Sequence, residues 1–500
     1  FKYFLFTLCI IFLFNYKFFI NNFKELKISR DEVLILISLF LFFFISILPL
    51  SDTDSIAVHL RSATYIFLNG LKNLDFALNH EFLSISNAEI LLLFSPILQS
   101  DNFGSQLNFF ALILFILVYR NKFSFIQFIL TCPVMIFLVS TQKLQLFFGI
   151  LYLYLFILVF EKKIKSKIEI FFFLFLLAFY SSGKINYILF SIPLYLYFLF
   201  SLKKYFKFNI LISLVVFFII LFPIFFLKFK YFGNPVAPFF DNFFGSSRII
   251  FQEYQNNLRS SQGWLNNFKD VSIYIQPFFP IKFSNITNTL GLIFLLLFFN
   301  YNLQKKLNYF PAILFILILL TGQILPRYYF EAFLILIYFY NSNNNKLIYF
   351  INNIQYVCVI VFCSIFLYIS YFQLNVLFDK NNFMKNFSYG YSNFSKYSKF
   401  LDFGNVFVKS DGRGNIFSKD GIYPRNSLEI QNLEPINSKN LTSFFKDKNI
   451  KIYISIDNKL ISRCISYSII DKINLIDARR NFLIKNTYLV NVYNIDHSKC

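Results

Sequence analysis

VLILISLFLFFFISILPLSDTDSIAVHLRSATYIFLNG, residues Val33 to Gly70, joins two kinds of sequence: an apolar run as far as Leu50, then two carboxylates, Asp52 and Asp54, and a histidine, His59. A helix crosses a bilayer in about 20 apolar residues, so Val33 to Leu50 reads as one crossing. Asp52, Asp54 and His59 are then expected at a membrane surface, in water and close to lipid. A lipid-borne substrate can meet a polar acceptor there.

The rest of the chain repeats the first half of this pattern. Of its 500 residues 57% are hydrophobic and 15% charged, with a mean hydropathy of +0.57. Globular domains carry about 25% charged residues. Apolar runs at about 3–20, 33–50, 105–119, 123–139, 145–160, 168–181, 186–201, 209–228, 288–301, 309–324, 327–341 and 347–372 predict a polytopic all-α membrane protein with roughly 11–13 transmembrane helices. The 77 Phe and 32 Tyr match what an AT-rich coding sequence favours, and most of the aromatic excess is assigned to that origin. The first residue is Phe rather than Met, which reads as an incomplete N-terminus, and no cleavable signal peptide is evident.

The net charge of +21 is distributed in a way that argues against a nucleic-acid face. Lys24, Lys27 and Arg30; Arg120 and Lys122; Lys162, Lys163, Lys165 and Lys167; Lys203, Lys204 and Lys207; and Lys305 and Lys306 all fall on one side if the spans alternate. That side is expected to be cytoplasmic. The opposite side then receives the loop 51–104, the segment 229–287 and the tail 373–500. Domain limits of 1–372 and 373–500 follow.

In the first outer loop Ile56, Leu60, Ala63, Phe67 and Leu71 recur at helical spacing and predict an amphipathic helix on the membrane surface. Ala88 to Leu98 is too short to cross and predicts a surface or re-entrant helix. Gly233 to Phe240, GNPVAPFF, holds a Gly and two prolines that exclude a regular helix. In the tail, Ile450, Ile452, Ile454 and Ile456 alternate with Lys451, Tyr453 and Ser455, the period of a half-buried strand, and Tyr488 to Ile495 predicts another. The tail is therefore expected to be a small α/β domain.

Two readings compete at each candidate site residue. Asp52 or Asp54 can take a proton from an attacking hydroxyl; Ser51, Asp52, Thr53 and Asp54 are equally good N-cap types before a helix. His59 reaches the same pocket or is a surface histidine. Glu89 is an acid at the start of an apolar segment, functional or a favourable helix-start charge. Lys184 in YSSGKIN, Lys143 in STQKLQ and Arg327 in GQILPRYYFEAF suit a lipid phosphate, Arg327 with bidentate geometry, or else snorkel to headgroups. No metal-ligand cluster is formed by His59, His80 and His497. Cys9, Cys132, Cys358 and Cys363 fall in apolar spans; Cys464 and Cys500 lie in the polar tail, where an extracytoplasmic location permits a disulfide.

The order D-x-D-x-x-x-x-H (Asp52, Asp54, His59), Glu89, Gly183-Lys184, GNPVAPF (Gly233 to Phe239) and Q-x-x-x-R-Y (Gln323, Arg327, Tyr328) resembles the GT-C superfamily of integral membrane glycosyltransferases, in particular bacterial members akin to the protein mannosyltransferases and aminoarabinose transferases. The resemblance covers about residues 33–372, and the tail occupies the position of those enzymes' periplasmic domain. It implies inverting transfer of a sugar from a polyprenyl-phosphate donor to a glycan, lipid or protein acceptor, in a bacterial inner membrane, with the active site on the periplasmic side. It implies Asp54 as catalytic base with Asp52 accessory, Glu89 as an acceptor-side or second acidic group, and Lys184 and Arg327 as binders of the donor phosphate, with His59 and Tyr328 as further substrate-binding residues. No nucleotide and, in many members, no metal is needed, although a divalent ion stays open. The chain departs from the adjacent acidic pair of many members because Thr53 separates its aspartates, so the base stays open between Asp52 and Asp54. An O-antigen-type polymerase or ligase would instead use the segment 229–287, with Arg248, Arg259 and Trp264. A lipid-linked glycan transporter would place polar groups near the membrane midplane.

Overall fold

The computed structural model describes residues 30–52, 55–70, 86–119, 122–201, 206–237, 241–244, 275, 277–279, 286–287, 289–299, 309–320, 326–340, 346–388, 391–409, 422–424, 438–455, 464–477 and 486–499. The first expected span, 3–20, lies outside them, as do Asp54, His80 and half of the basic loop residues.

The described chain is mostly helical with a small sheet. In chain order the helices are α1 (Arg30–Ser46), a π turn (Ser55–Leu60), α2 (Arg61–Asn69), α3 (Asn87–Leu91), α4 (Phe94–Ile97), α5 (Phe103–Val118), α6 (Phe123–Leu130), α7 (Val134–Val139), α8 (Gln145–Phe160), α9 (Lys167–Gly183), α10 (Ile185–Ser201) and α11 (Phe206–Phe232). After a single turn at Asp241–Phe244 follow α12 (Leu292–Phe299), α13 (Tyr309–Leu320), the 3-10 turn Pro326–Tyr329, α14 (Phe330–Phe339), α15 (Lys346–Tyr368), α16 (Lys380–Phe387), α17 (Tyr391–Tyr397) and α18 (Ser438–Asp447). Two of them, Phe208–Lys230 within α11 and α15 continued to Gln373, are long and apolar enough to cross a membrane by length and composition.

Among the described residues helices occupy the expected apolar runs, but only those two are long and apolar enough to cross a membrane, against the 11–13 crossings expected, and three local corrections apply. The stretch 123–139 is two helices, because Pro133 cannot donate to the ladder. The freed Val134 N–H is satisfied by the Thr289 carbonyl at 2.9 Å. The amphipathic helix of the first loop begins as a π turn whose extra residue rotates the face: Ser55, Ser62, Ala63 and Ile66 are buried, while Phe67 and Leu68 point outward. Ala88 to Leu98 is broken into α3 and α4 and buries Glu89.

One apolar core joins α1 with α5 to α10 and α12 to α16. Polar side chains fix its register: Tyr356 of α15 meets Ser38 of α1 at 2.5 Å, and Gln355 donates to the Thr131 carbonyl at 3.0 Å. The outward face of α11 is apolar, with Leu211, Leu214, Phe218, Ile219 and Phe222 exposed. Its end is set by Gly233, whose φ of +70° is the left-handed conformation that stops a helix.

The tail forms a five-stranded sheet of β1 (Asn405–Val408), β2 (Ile422–Pro424), β3 (Ile450–Ser455), β4 (Ile465–Asp477) and β5 (Asn486–Ile495), in the order β2-β1-β3-β5-β4. β2, β1 and β3 are parallel, and β5 and β4 add antiparallel. β3 is buried on both faces rather than one. Tyr453 packs with Phe444 and Phe445 of α18, and Ile452 and Ile454 pack with Tyr397 and Phe400 on the other side. Cys464 is disulfide-bonded to a partner outside the described residues, whereas Cys132, Cys358 and Cys363 are free thiols.

Candidate functional site

Asp52 follows α1, and its Oδ2 accepts from the Ser55 N–H at 3.1 Å and the Ser55 hydroxyl at 2.8 Å. It therefore caps the π turn. Lys143 Nζ lies 3.7 Å from the same oxygen, and both side chains are largely buried. The Ser55 hydroxyl is 2.7 Å from Thr141 Oγ1 and accepts from the Gln142 N–H at 3.0 Å, which ties the first loop to the turn between α7 and α8.

That turn is held from beneath by Asn108 of α5, which is fully buried. Its amide nitrogen faces the carbonyls of Leu138, Thr141 and Lys143 at 3.0, 3.2 and 2.8 Å, and its oxygen accepts from the Phe147 N–H at 3.0 Å. Asn108 is invisible as a site residue in the sequence. An asparagine within an apolar helix is the available signal.

His59 does not join Asp52. Its Nδ1 lies 2.9 Å from Glu89 Oε1, and Glu89 is 2% exposed. The Ser86 hydroxyl reaches the second Glu89 oxygen and also the Gly183 carbonyl, 2.7 Å away. Asn87 donates to the Ser182 hydroxyl at 2.6 Å. The carboxylate–histidine pair is thereby anchored to the end of α9, directly before Lys184.

Lys184 is the single extended residue between α9 and α10. Gly183 must be small: a Cβ there would lie 2.4 Å from the Phe148 ring, which is buried in the core. Lys184 Nζ sits over the Tyr328 ring at 4.6 Å. Arg327 lies over the same ring at 5.3 Å and over Phe137 at 5.0 Å, and Lys143 Nζ is 5.4 Å from Phe137. Gln145 donates to the Arg327 carbonyl at 2.5 Å. Three cations from three separate turns thus converge on two aromatic rings. Phe137 also borders a small cleft of about 20 Å³, lined by apolar Ile45, Leu48, Ile136, Phe366 and Phe383 and by polar Ser51, Ser140 and Thr287.

Two charged residues of this region escaped the sequence reading. Lys228 of α11 is 4% exposed and donates to the Ala237 carbonyl at 2.9 Å, closing the Asn-Pro-Val-Ala turn onto its helix. Glu331 of α14 is 1% exposed and stands one helical turn after Arg327. Both were passed over as members of apolar runs, where an ionisable residue is itself a signal of function.

The structure therefore brings together Asp52, Lys143, Arg327, Tyr328 and Lys184, with His59 and Glu89 alongside. Asp54 and Gln323, and Arg248, Arg259 and Trp264 of the polymerase reading, lie outside the described residues. Among the described residues no group of His, Cys, Asp and Glu suits a metal ion. Comparison of the chain with models of protein families, with curated proteins and with solved structures finds no match.

Proposed function

We propose that the chain is a polytopic membrane glycosyltransferase that moves a sugar from a polyprenyl-phosphate donor to an extracytoplasmic acceptor. The observation that carries this reading is the convergence of Lys143, Lys184 and Arg327 at one end of the helical core, beside the buried Glu89–His59 pair.

Three cations gathered at one end of the helices suit a phosphate leaving group, whose developing charge they stabilise in a site of low dielectric. Arg327 offers a planar fork, and Lys184 a compact point charge. The apolar outer face of α11 suits contact with lipid. Glu331 and Lys228 lie close to the end of the molecule that carries the cations, an arrangement that favours chemistry at one face over passage through the middle.

Asp52 is an unsuitable base, since its carboxylate is engaged by Ser55 and Lys143. Asp54 keeps the role of base. Glu89, oriented by His59 and Ser86, takes the acceptor side. Localisation in a bacterial inner membrane, with site and tail on the periplasmic face, belongs to the same reading.

The test is transfer of labelled sugar from a panel of polyprenyl-phosphate sugars by purified protein in lipid. Wild type is compared with Asp54→Asn, Glu89→Gln, Lys184→Ala and Arg327→Ala. Turnover in wild type that drops about 100-fold or more in Asp54→Asn and in the cation variants is the expected result. Wild-type turnover unchanged by removal of either Lys184 or Arg327 would refute the phosphate site.

A further inference from the structure

One helical turn after Arg327, Glu331 carries a carboxyl group into the buried core. Both carboxyl oxygens of Glu331 and the hydroxyl of Tyr180 are buried without a hydrogen-bond partner among the described residues. Leaving such groups unpaired is costly, more so for a carboxylate than for a hydroxyl. They share one neighbourhood across α8: Gly149 faces the Phe330 ring, beside Glu331, and Tyr152 on the next turn packs against Tyr180. Tyr180 stacks on Tyr152 at 4.8 Å and on Tyr187 at 4.7 Å, so its ring is fixed from both sides. Tyr152 is satisfied by the Phe190 carbonyl at 2.8 Å. Tyr187 packs against Phe148 at 5.6 Å, the ring that also abuts Gly183, which places this group behind the Gly183–Lys184 turn of the candidate site.

We infer that Glu331 and Tyr180 form an inner subsite that accepts hydrogen bonds from a substituent of the transferred group, one layer below the donor phosphate. The inference rests on the phosphate reading above and adds to it the residues that select the sugar. The required chemistry is a donor of hydrogen bonds: a hydroxyl presents one, a primary ammonium three. Two carboxyl oxygens and one phenol match an ammonium in number, and any one of them can take the single hydroxyl donor; a site built around such a bond discriminates strongly against an analogue that lacks it. Glu331 and Tyr180 act as specificity-determining residues, with no proton transferred through them.

The experiment is equilibrium binding to the full chain in lipid nanodiscs. The probes are decaprenyl phosphate, decaprenyl-phosphate glucose, its singly deoxygenated analogues and the corresponding amino sugars. Wild type is compared with Glu331→Gln and Tyr180→Phe, which preserve shape and remove one acceptor or one hydroxyl. The expected result is equal binding of bare decaprenyl phosphate by all three proteins. One hydroxyl or amino substituent should tighten wild-type binding about ten- to hundredfold. That gain should fall away in Glu331→Gln and weaken in Tyr180→Phe. Gain from the amine alone identifies an ammonium, and gain from the hydroxyl a neutral sugar. Sugar binding that is the same in wild type and Glu331→Gln across the panel overturns the subsite, and Glu331 is then satisfied by fixed water alone. Failure of wild type to bind bare decaprenyl phosphate is a different outcome: it overturns the phosphate site, and the subsite with it.

Discussion

A single methyl group is enough to disturb the link between carboxylate and cation. In Gly183→Ala the new Cβ would press into the Phe148 ring, and overpacking of this kind costs about 1–3 kcal/mol. The Gly183 carbonyl, which Ser86 reaches, must shift with it. Thermal unfolding should show the loss of stability, and turnover should fall further than stability alone explains. Glu161 supplies a prediction of a different kind. Burial alone would raise its carboxyl, but hydrogen bonds from Lys163 and Tyr338 and the charges of Lys163 and Lys122 outweigh burial and hold it below the usual carboxylate range. A depressed value means that its stabilisation is complete above the ordinary carboxylate range and is lost as pH falls through the folded value. The melting temperature of wild type should therefore fall more steeply on acidification than that of Glu161→Gln; parallel curves would dismiss the contribution.

At the scale of elements, the turn carrying Lys143 depends on a neighbouring helix. Asn108 of α5 holds that turn by four hydrogen bonds, all buried or partly buried. Asn108→Leu would leave several carbonyls and one amide without partners, at about 1–3 kcal/mol for each that water cannot reach. Its expected signature is a lower melting temperature together with weaker binding of decaprenyl phosphate. Asp52→Asn separates cap from charge. Asparagine caps a helix as well as aspartate does, so stability should change by less than about 1 kcal/mol. Loss of the ion pair with Lys143 should alter the affinity for phosphate at low salt, and an unchanged affinity would make Asp52 a cap only.

For the molecule as a whole, charge marks the two ends of the same helices. Lys143 and Arg327 precede α8 and α14, while Glu161, Lys163 and Tyr338 gather where those helices finish. α8, with 16 residues, spans roughly 24 Å at 1.5 Å per residue. If a membrane lies between the two ends, cysteines at Lys163 and at Ser100 should be labelled from opposite sides of sealed vesicles by an impermeant maleimide. Labelling of both from one side would refute the sidedness derived from the basic loops.

Helix existence and a tail of mixed α and β character were legible in the sequence, since each follows from local periodicity and length; the break of Ala88 to Leu98 into two helices was not. The candidate residues Asp52, His59, Glu89, Lys184, Arg327 and Tyr328 were legible as chemistry at helix ends. Their partners were not, because partnership is a contact between segments far apart in the chain. Periodicity could not show that His59 pairs with Glu89, that Lys143 pairs with Asp52, or that a π turn rotates the first loop by one position. Nor could it distinguish a strand covered on one face from β3, whose central place in the sheet buries both. Glu331 and Lys228 carry a sequence signal as ionisable residues in apolar runs, but only the folded chain shows that both are buried. Local pattern sets which segments are helix or strand; only tertiary packing decides which charges meet, since that depends on the removal of water from between them.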